Sequence, residues 1–160
     1  MNLITIFYKS IQLPKKEALF SLNRISMRDT LVYIFVVIFV LFLPELIHAI
    51  VNADVDVEGL DVGTYILQVL VYYPLFIMFI VVAGISLLAA GALLLKTVLN
   101  RRLAYQQLWK MTSFAVTVPL IIYTLFNLVQ LNSTITNWLP IVIYYILMYK
   151  MISVYPKMRK

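Results

Sequence analysis

The sequence predicts an all-α polytopic membrane protein, with four transmembrane helices preceded by an amphipathic segment that lies at the membrane interface. Three observations carry this. Of the 160 residues, 63% are hydrophobic and 12% charged, whereas a soluble domain has roughly a quarter of its residues charged. Four apolar stretches, 31–51, 72–95, 111–129 and 138–155, reach or approach the roughly 20 residues that a helix needs to cross a hydrocarbon core of about 30 Å. The thirteen basic residues are also completely partitioned among the connections.

That partition sets the expected orientation, because Lys and Arg beside a span are retained on the cytoplasmic side. Lys9, Lys15, Lys16, Arg24 and Arg28 precede the first span. Lys96, Arg101, Arg102 and Lys110 lie between the second and third, and Lys150, Lys157, Arg159 and Lys160 close the chain. The other two connections carry no basic residue, and the first of them holds Asp54, Asp56, Glu58 and Asp61. Both termini are therefore expected in the cytoplasm of a multi-pass protein of a bacterial cytoplasmic membrane. The net charge of +6 then points to anionic lipid rather than nucleic acid, since the charges flank apolar spans. Lys9, Lys15, Lys16, Arg24, Arg28, Arg101 and Arg102 are the expected headgroup contacts.

Two units follow: residues 1–30, a cytoplasmic interfacial segment, and residues 31–160, the transmembrane domain. In the first, Leu3, Ile4, Phe7 and Ile11 recur at helical spacing and Pro14 interrupts the pattern. Pro14 suits the start of a second short helix with Glu17 in its first turn. Ala18, Leu19, Leu22 and Ile25 supply that helix's apolar side, expected to lie on lipid. Asp29 or Thr30 is the expected cap of the first span.

Apolar character runs from Val62 to Leu95, too long for one crossing at 1.5 Å per residue. Pro74 offers a break, which places residues 64–73 at the outer interface. The inner half of this span is rich in small residues. Gly84, Ser86, Ala90 and Gly91 allow close approach of another helix, within the chain or in a homo-oligomer. The 96–110 connection mixes basic residues with Leu103, Tyr105, Leu108 and Trp109 and is expected to lie on the membrane. Pro119 is expected to bend the third span. Trp138 and Tyr155, near the two ends of the fourth, suit the headgroup level. Asn132-Ser133-Thr134 matches a glycosylation pattern but sits in a short turn, a poor acceptor site.

The absence of cysteine excludes disulfides, thiolate metal sites and a cysteine nucleophile, and the single histidine excludes a His-rich metal site. No phosphate-binding glycine loop or metal-ligand spacing is present, so no catalytic residue, cofactor or metal is expected. The outer acidic residues lack the ligand order of a calcium loop and read as a solvated turn. One polar constellation lies inside a span: Glu45 and His48, three residues apart and hence on one helical face, next to Pro44. Ionisable residues within spans usually face a bundle interior or wet cavity. Asn127 and Gln130, at comparable depth in the third span, are candidate hydrogen-bond partners for the pair.

Certain motifs carry a resemblance. Phe7-Tyr8-Lys9-Ser10 followed by Leu13-Pro14-Lys15, the run Tyr105-Gln106-Gln107-Leu108-Trp109-Lys110 leading into Ala115-Val116-Thr117-Val118-Pro119, and the ending Tyr149 to Pro156 are similar to a bacterial domain-of-unknown-function membrane family. That family includes proteins labelled maltodextrin-utilisation membrane proteins and broadly resembles Yip-type multi-span proteins, which act by partnering other membrane proteins. Its members carry a larger outer region after the first span, so no role of that region transfers to this chain. The resemblance implies a non-enzymatic accessory or regulatory protein acting through a membrane partner. The rival expectation is a small oligomeric transporter, channel or lipid-handling protein whose path passes Glu45 and His48.

Overall fold

A computed structural model of the chain describes residues 2–51, 62–129 and 134–157. Among these the regular elements are all helices: α1 (Leu3–Ile11), α2 (Lys16–Asn23), α3 (Met27–Val51), α4 (Val62–Val98), α5 (Tyr105–Ala115), α6 (Thr117–Leu128) and α7 (Thr134–Ser153). Three stretches are long and apolar enough to cross a membrane, namely Met27–Pro44, Gly63–Val98 and Tyr105–Asn127, while the apolar part of α7, Trp138–Ser153, is shorter. The chain is a helical membrane protein with at least these three candidate crossings. The acidic connection, Gln130, Asn132 and Ser133 of the glycosylation pattern, and the last three residues lie outside the described residues.

Local chemistry accounts for several boundaries. α3 starts one turn before the apolar run because Ser26 caps it: the Asp29 amide donates to Ser26 Oγ at 3.1 Å. The cap is thus Ser26, not Asp29 or Thr30; Thr30 instead turns its hydroxyl back onto the Ser26 carbonyl. α4 ends where Asn100 takes a positive φ of 50°, allowing the Arg101 amide to reach back to the Lys96 carbonyl at 3.2 Å. At the start of α5, Gln107 Oε1 accepts the Ala104 amide at 3.0 Å.

Two expectations about the spans are corrected. α4 is one helix of 37 residues that passes through Pro74 without ending. In an apolar setting every backbone group needs an internal partner, so helix continues on both sides of a proline and only the Leu70 carbonyl loses its donor. The third span begins as early as Tyr105, within the connection expected to lie on the membrane. It breaks at Val116, between α5 and α6. Pro119 has no amide to offer the Ala115 carbonyl, so the discontinuity falls one turn before it, as its chemistry requires.

The α5–α6 stretch is the hub. More than half of its apolar window is buried, against about a quarter for the other two crossings. α5 packs on α2, α3, α4 and α7, and α6 packs on α1, α3 and α7. Leu108, Met111, Phe114 and Ala115 are almost fully buried there. Hydroxyl groups tie the surrounding helices to this hub. Tyr33 of α3 shares a hydrogen bond with Thr117 at 2.9 Å. Tyr144 of α7 shares one with Thr112 at 3.1 Å and donates to the Leu88 carbonyl of α4 at 3.2 Å.

The amino-terminal helices belong to this packing. Ala18, Leu19 and Leu22 of α2, and Ile25 just after it, are buried within the hydrophobic core. The apolar side expected on lipid is therefore covered by protein. An apolar side follows from sequence spacing; what covers it depends on the connection geometry that brings α5 beneath it.

Candidate functional site

The polar residues singled out from sequence inside the membrane converge in part. α3 carries Pro44 and His48 and α6 carries Tyr123 and Asn127, each pair four residues apart and so on one helical face. With Thr124, Leu41 and Phe42 they line a cleft of about 260 Å³. His48 and Asn127, far apart in sequence, thus share one wall-to-wall site because α3 and α6 run side by side. Thr124 donates its hydroxyl to the Leu120 carbonyl at 3.0 Å, which leaves its oxygen as an acceptor. Glu45 lies in α3, but its side chain, like Gln130, is outside the described residues. Tyr123 and Thr124 were missed from sequence, since a tyrosine and a threonine in a span have no charge to mark them.

The cleft holds an imidazole, a phenol, a hydroxyl and a carboxamide. This is a set for hydrogen-bonding a polar or headgroup-like ligand from several directions. Among the described residues there is no group of three or more His, Cys, Asp or Glu side chains able to hold a metal ion.

The small residues of α4 divide by neighbour. Gly91 faces Tyr145 of α7, whose hydroxyl oxygen would lie 2.5 Å from an added Cβ, whereas nothing lies within 4 Å of a Cβ at Gly84. Ser86 accepts the Trp109 indole N–H at 3.2 Å, and its carbonyl accepts the Tyr105 hydroxyl at 3.3 Å. Ala90 is exposed. Gly91 and Ser86 therefore serve contacts inside the chain, and Gly84 and Ala90 do not.

A second polar cluster, invisible as such in the sequence, joins α2, α5 and the carboxyl-terminal segment. The Lys110 ammonium donates to the Asn23 carbonyl at 2.7 Å and the Ile25 carbonyl at 3.0 Å, placing a cation at the last carbonyl of α2 and at the turn that follows it. Asn23 Nδ2 donates to the Tyr155 hydroxyl at 3.1 Å. Arg101 donates to the Tyr155 carbonyl, and the Arg102 amide to the Pro156 carbonyl at 3.3 Å. Tyr155 is buried here against Phe20, so it holds protein together instead of resting among headgroups; Trp138 is exposed. Arg101 is part-buried in the same cluster, while Lys15, Lys16, Arg24, Arg28 and Arg102 are exposed and Lys9 half-buried.

A bundle of apolar helices enclosing a small polar cleft defines the class: a polytopic helical membrane protein with a hydrogen-bonding site between two of its spans. Residues 58–152 match a family described as protein of unknown function (DUF1189). The match covers more than half of the chain, which therefore belongs to that family. It includes the 105–119 motifs and leaves out the opening motif at 7–15. Comparison with curated proteins and with solved structures finds no match.

Proposed function

We propose that the protein is a non-enzymatic accessory or regulatory component of a bacterial cytoplasmic membrane that acts by helix pairing with a membrane-protein partner. It crosses four times with both termini inside. The basic partition supports this orientation, and the kinship with maltodextrin-utilisation and Yip-type proteins suggested by the motifs is in keeping with a partnering role.

The observation that carries the reading is α4. Its 37 residues make a helix of about 55 Å, against a hydrocarbon core of about 30 Å. Its first half has little cover from the bundle: Leu67, Tyr72, Leu75, Phe76 and Phe79 are each more than 60% exposed. Tyr65, Gln68, Tyr72, Phe76 and Phe79 line a groove of about 590 Å³ along this face. Large aromatic side chains beside a shallow groove are the form that helix-in-groove contacts take.

The test places a photo-crosslinking amino acid at Phe79, and as a control at Ile146 of α7, in cells that make the tagged protein. A discrete adduct with one membrane protein at Phe79 and not at Ile146 supports the reading. Crosslinks to lipid alone at both positions refute it.

The His48 cleft favours a second reading, a small oligomeric transporter, channel or lipid-handling protein using Glu45 and His48. It requires a solute flux in liposomes that Glu45→Gln abolishes while the variant still purifies as the wild type does. A wild type with no flux ends it.

A further inference from the structure

α1 has two apolar sides, and the bundle covers one of them. Ile6 and Ser10 are fully buried, where α1 packs on α2, α5 and α6. Ile4, Tyr8 and Ile11, spaced so as to share another face, are 82, 65 and 46% exposed. What covers that second face depends on how deep α1 lies relative to the crossing helices.

The two ends of α1 stand at different depths. Arg28 on α3 and Lys110 on α5 mark the charged level from which these crossings start. Ser10 lies within hydrogen-bonding reach of Tyr33, which shares a hydrogen bond with Thr117. Tyr33 is five residues beyond Arg28 and Thr117 seven beyond Lys110, so Ser10 stands about 8–10 Å inside the charged level. At the other end of α1, Leu3 and Phe7 line a groove with Val40, Leu41 and Ile121. Val40 is twelve residues beyond Arg28 and Ile121 eleven beyond Lys110, a depth of about 16–18 Å along the helices. The half-thickness of the hydrocarbon core is about 15 Å. The length of α1 agrees, since the seven residues from Ser10 back to Leu3 rise about 10 Å. A helix lying flat in the interface would hold both ends at one depth.

Charge follows the same gradient. No charged residue occurs from Leu3 to Tyr8, whereas Lys9, Lys15 and Lys16 come at the shallow end, the level of anionic headgroups. Val36 and Val40 of α3, level with the first turn of α1, are themselves 42 and 55% exposed, in a stretch long and apolar enough to cross a membrane. Whatever surrounds a crossing helix at that depth also surrounds α1. Leu41 lines both the groove beside α1 and the His48 cleft, so the first turn of α1 stands at the deep end of that cleft.

We propose that α1 is a re-entrant helix. It enters the leaflet next to the amino-terminal end of α3, brings its first turn to the middle of the bilayer, and presents Ile4, Tyr8 and Ile11 to lipid acyl chains. The proposal rests on the crossings by α3 and by α5 with α6, and is independent of the partnering role of α4.

The chain has no cysteine, so the single substitutions Ile4→Cys, Tyr8→Cys, Ile11→Cys and Val40→Cys each take one nitroxide label. These positions are exposed, and a label there displaces no packed side chain. In liposomes of phosphatidylcholine and phosphatidylglycerol, power-saturation electron paramagnetic resonance with oxygen and a water-soluble nickel chelate measures depth. The Ile4 label lies as deep as the Val40 label and about 10 Å deeper than the Ile11 label, with the Tyr8 label between them and oxygen reaching all three on α1. In the unaltered protein, a phosphatidylcholine with a diazirine at the end of its acyl chain labels the peptide from Leu3 to Tyr8, a readout that needs no variant to fold. Equal depths along α1 make it a helix lying in the interface and overturn the proposal. So do nickel access exceeding oxygen access at the Ile4 label, exclusion of both reagents by a protein cover, dipolar broadening from a second copy, or absence of the diazirine adduct from that peptide.

Discussion

Lys110 offers the sharpest test of how the amino-terminal helices are held. Its ammonium bonds the carbonyl of Asn23, the last residue of α2, at 2.7 Å and that of Ile25 just beyond it at 3.0 Å, and Asn23 is tied on to Tyr155 in the carboxyl-terminal segment. Lys110→Met keeps the length of the side chain and its apolar stem while removing the charge and both bonds. A hydrogen bond to a charged group contributes about 1.5–3 kcal/mol. Lys110 is half-buried, so solvent reduces the loss for the pair to about 2 kcal/mol in total. That is roughly a thirtyfold shift in the folding equilibrium. The matched control is Lys150→Met, which removes an exposed cation from α7. Unfolding in mixed micelles measures the free energy, and protease cleavage within residues 12–25 measures release of α2. Cleavage there accelerates in Lys110→Met and not in Lys150→Met. Two variants equal in stability within about 0.5 kcal/mol, with equal cleavage, would refute the reasoning.

Three further outcomes are expected. Gly84→Leu leaves folding unchanged because nothing lies within 4 Å of its Cβ, while Gly91→Leu drives into Tyr145 and destabilises by about 1–3 kcal/mol; unfolding in the same micelles compares them. In a double-mutant cycle, Tyr33→Phe and Thr117→Val show a coupling of about 0.6–1.7 kcal/mol, as for hydrogen bonds between membrane helices; additive effects would mean that the 2.9 Å contact adds nothing. Ser26→Ala removes the cap of α3 and costs about 1 kcal/mol, whereas Ser26→Asp retains it, with thermal unfolding as the assay.

Much of this architecture is local chemistry and so is written along the chain. The apolar lengths and the partition of thirteen basic residues define a helical membrane protein before any packing is known, because lipid demands internally paired backbone and charges resist crossing it. The start of α3 is equally legible in Ser26-Met27-Arg28-Asp29, a cap followed three residues later by an acid, which places the cap one turn ahead of Asp29 and Thr30. Pro74 misled, because proline ends helices reliably in water but not where a broken helix has no other partner for its backbone.

The rest depends on which surfaces meet. The spacing of Leu19, Leu22 and Ile25 defines an apolar side whether lipid or protein covers it, and only the approach of α5 decides for protein. Gly84 and Gly91 are equivalent in sequence, seven residues apart, yet only one faces a tyrosine. His48 and Asn127 share a cleft because α3 and α6 lie adjacent, a relation with no counterpart in the spacing of either residue along the chain. Sequence by itself therefore determined the medium of this protein and its helices, since those follow from the free energy of single segments. Tertiary structure alone decided its sites, because a site requires side chains from separate segments at one point, and that depends on packing.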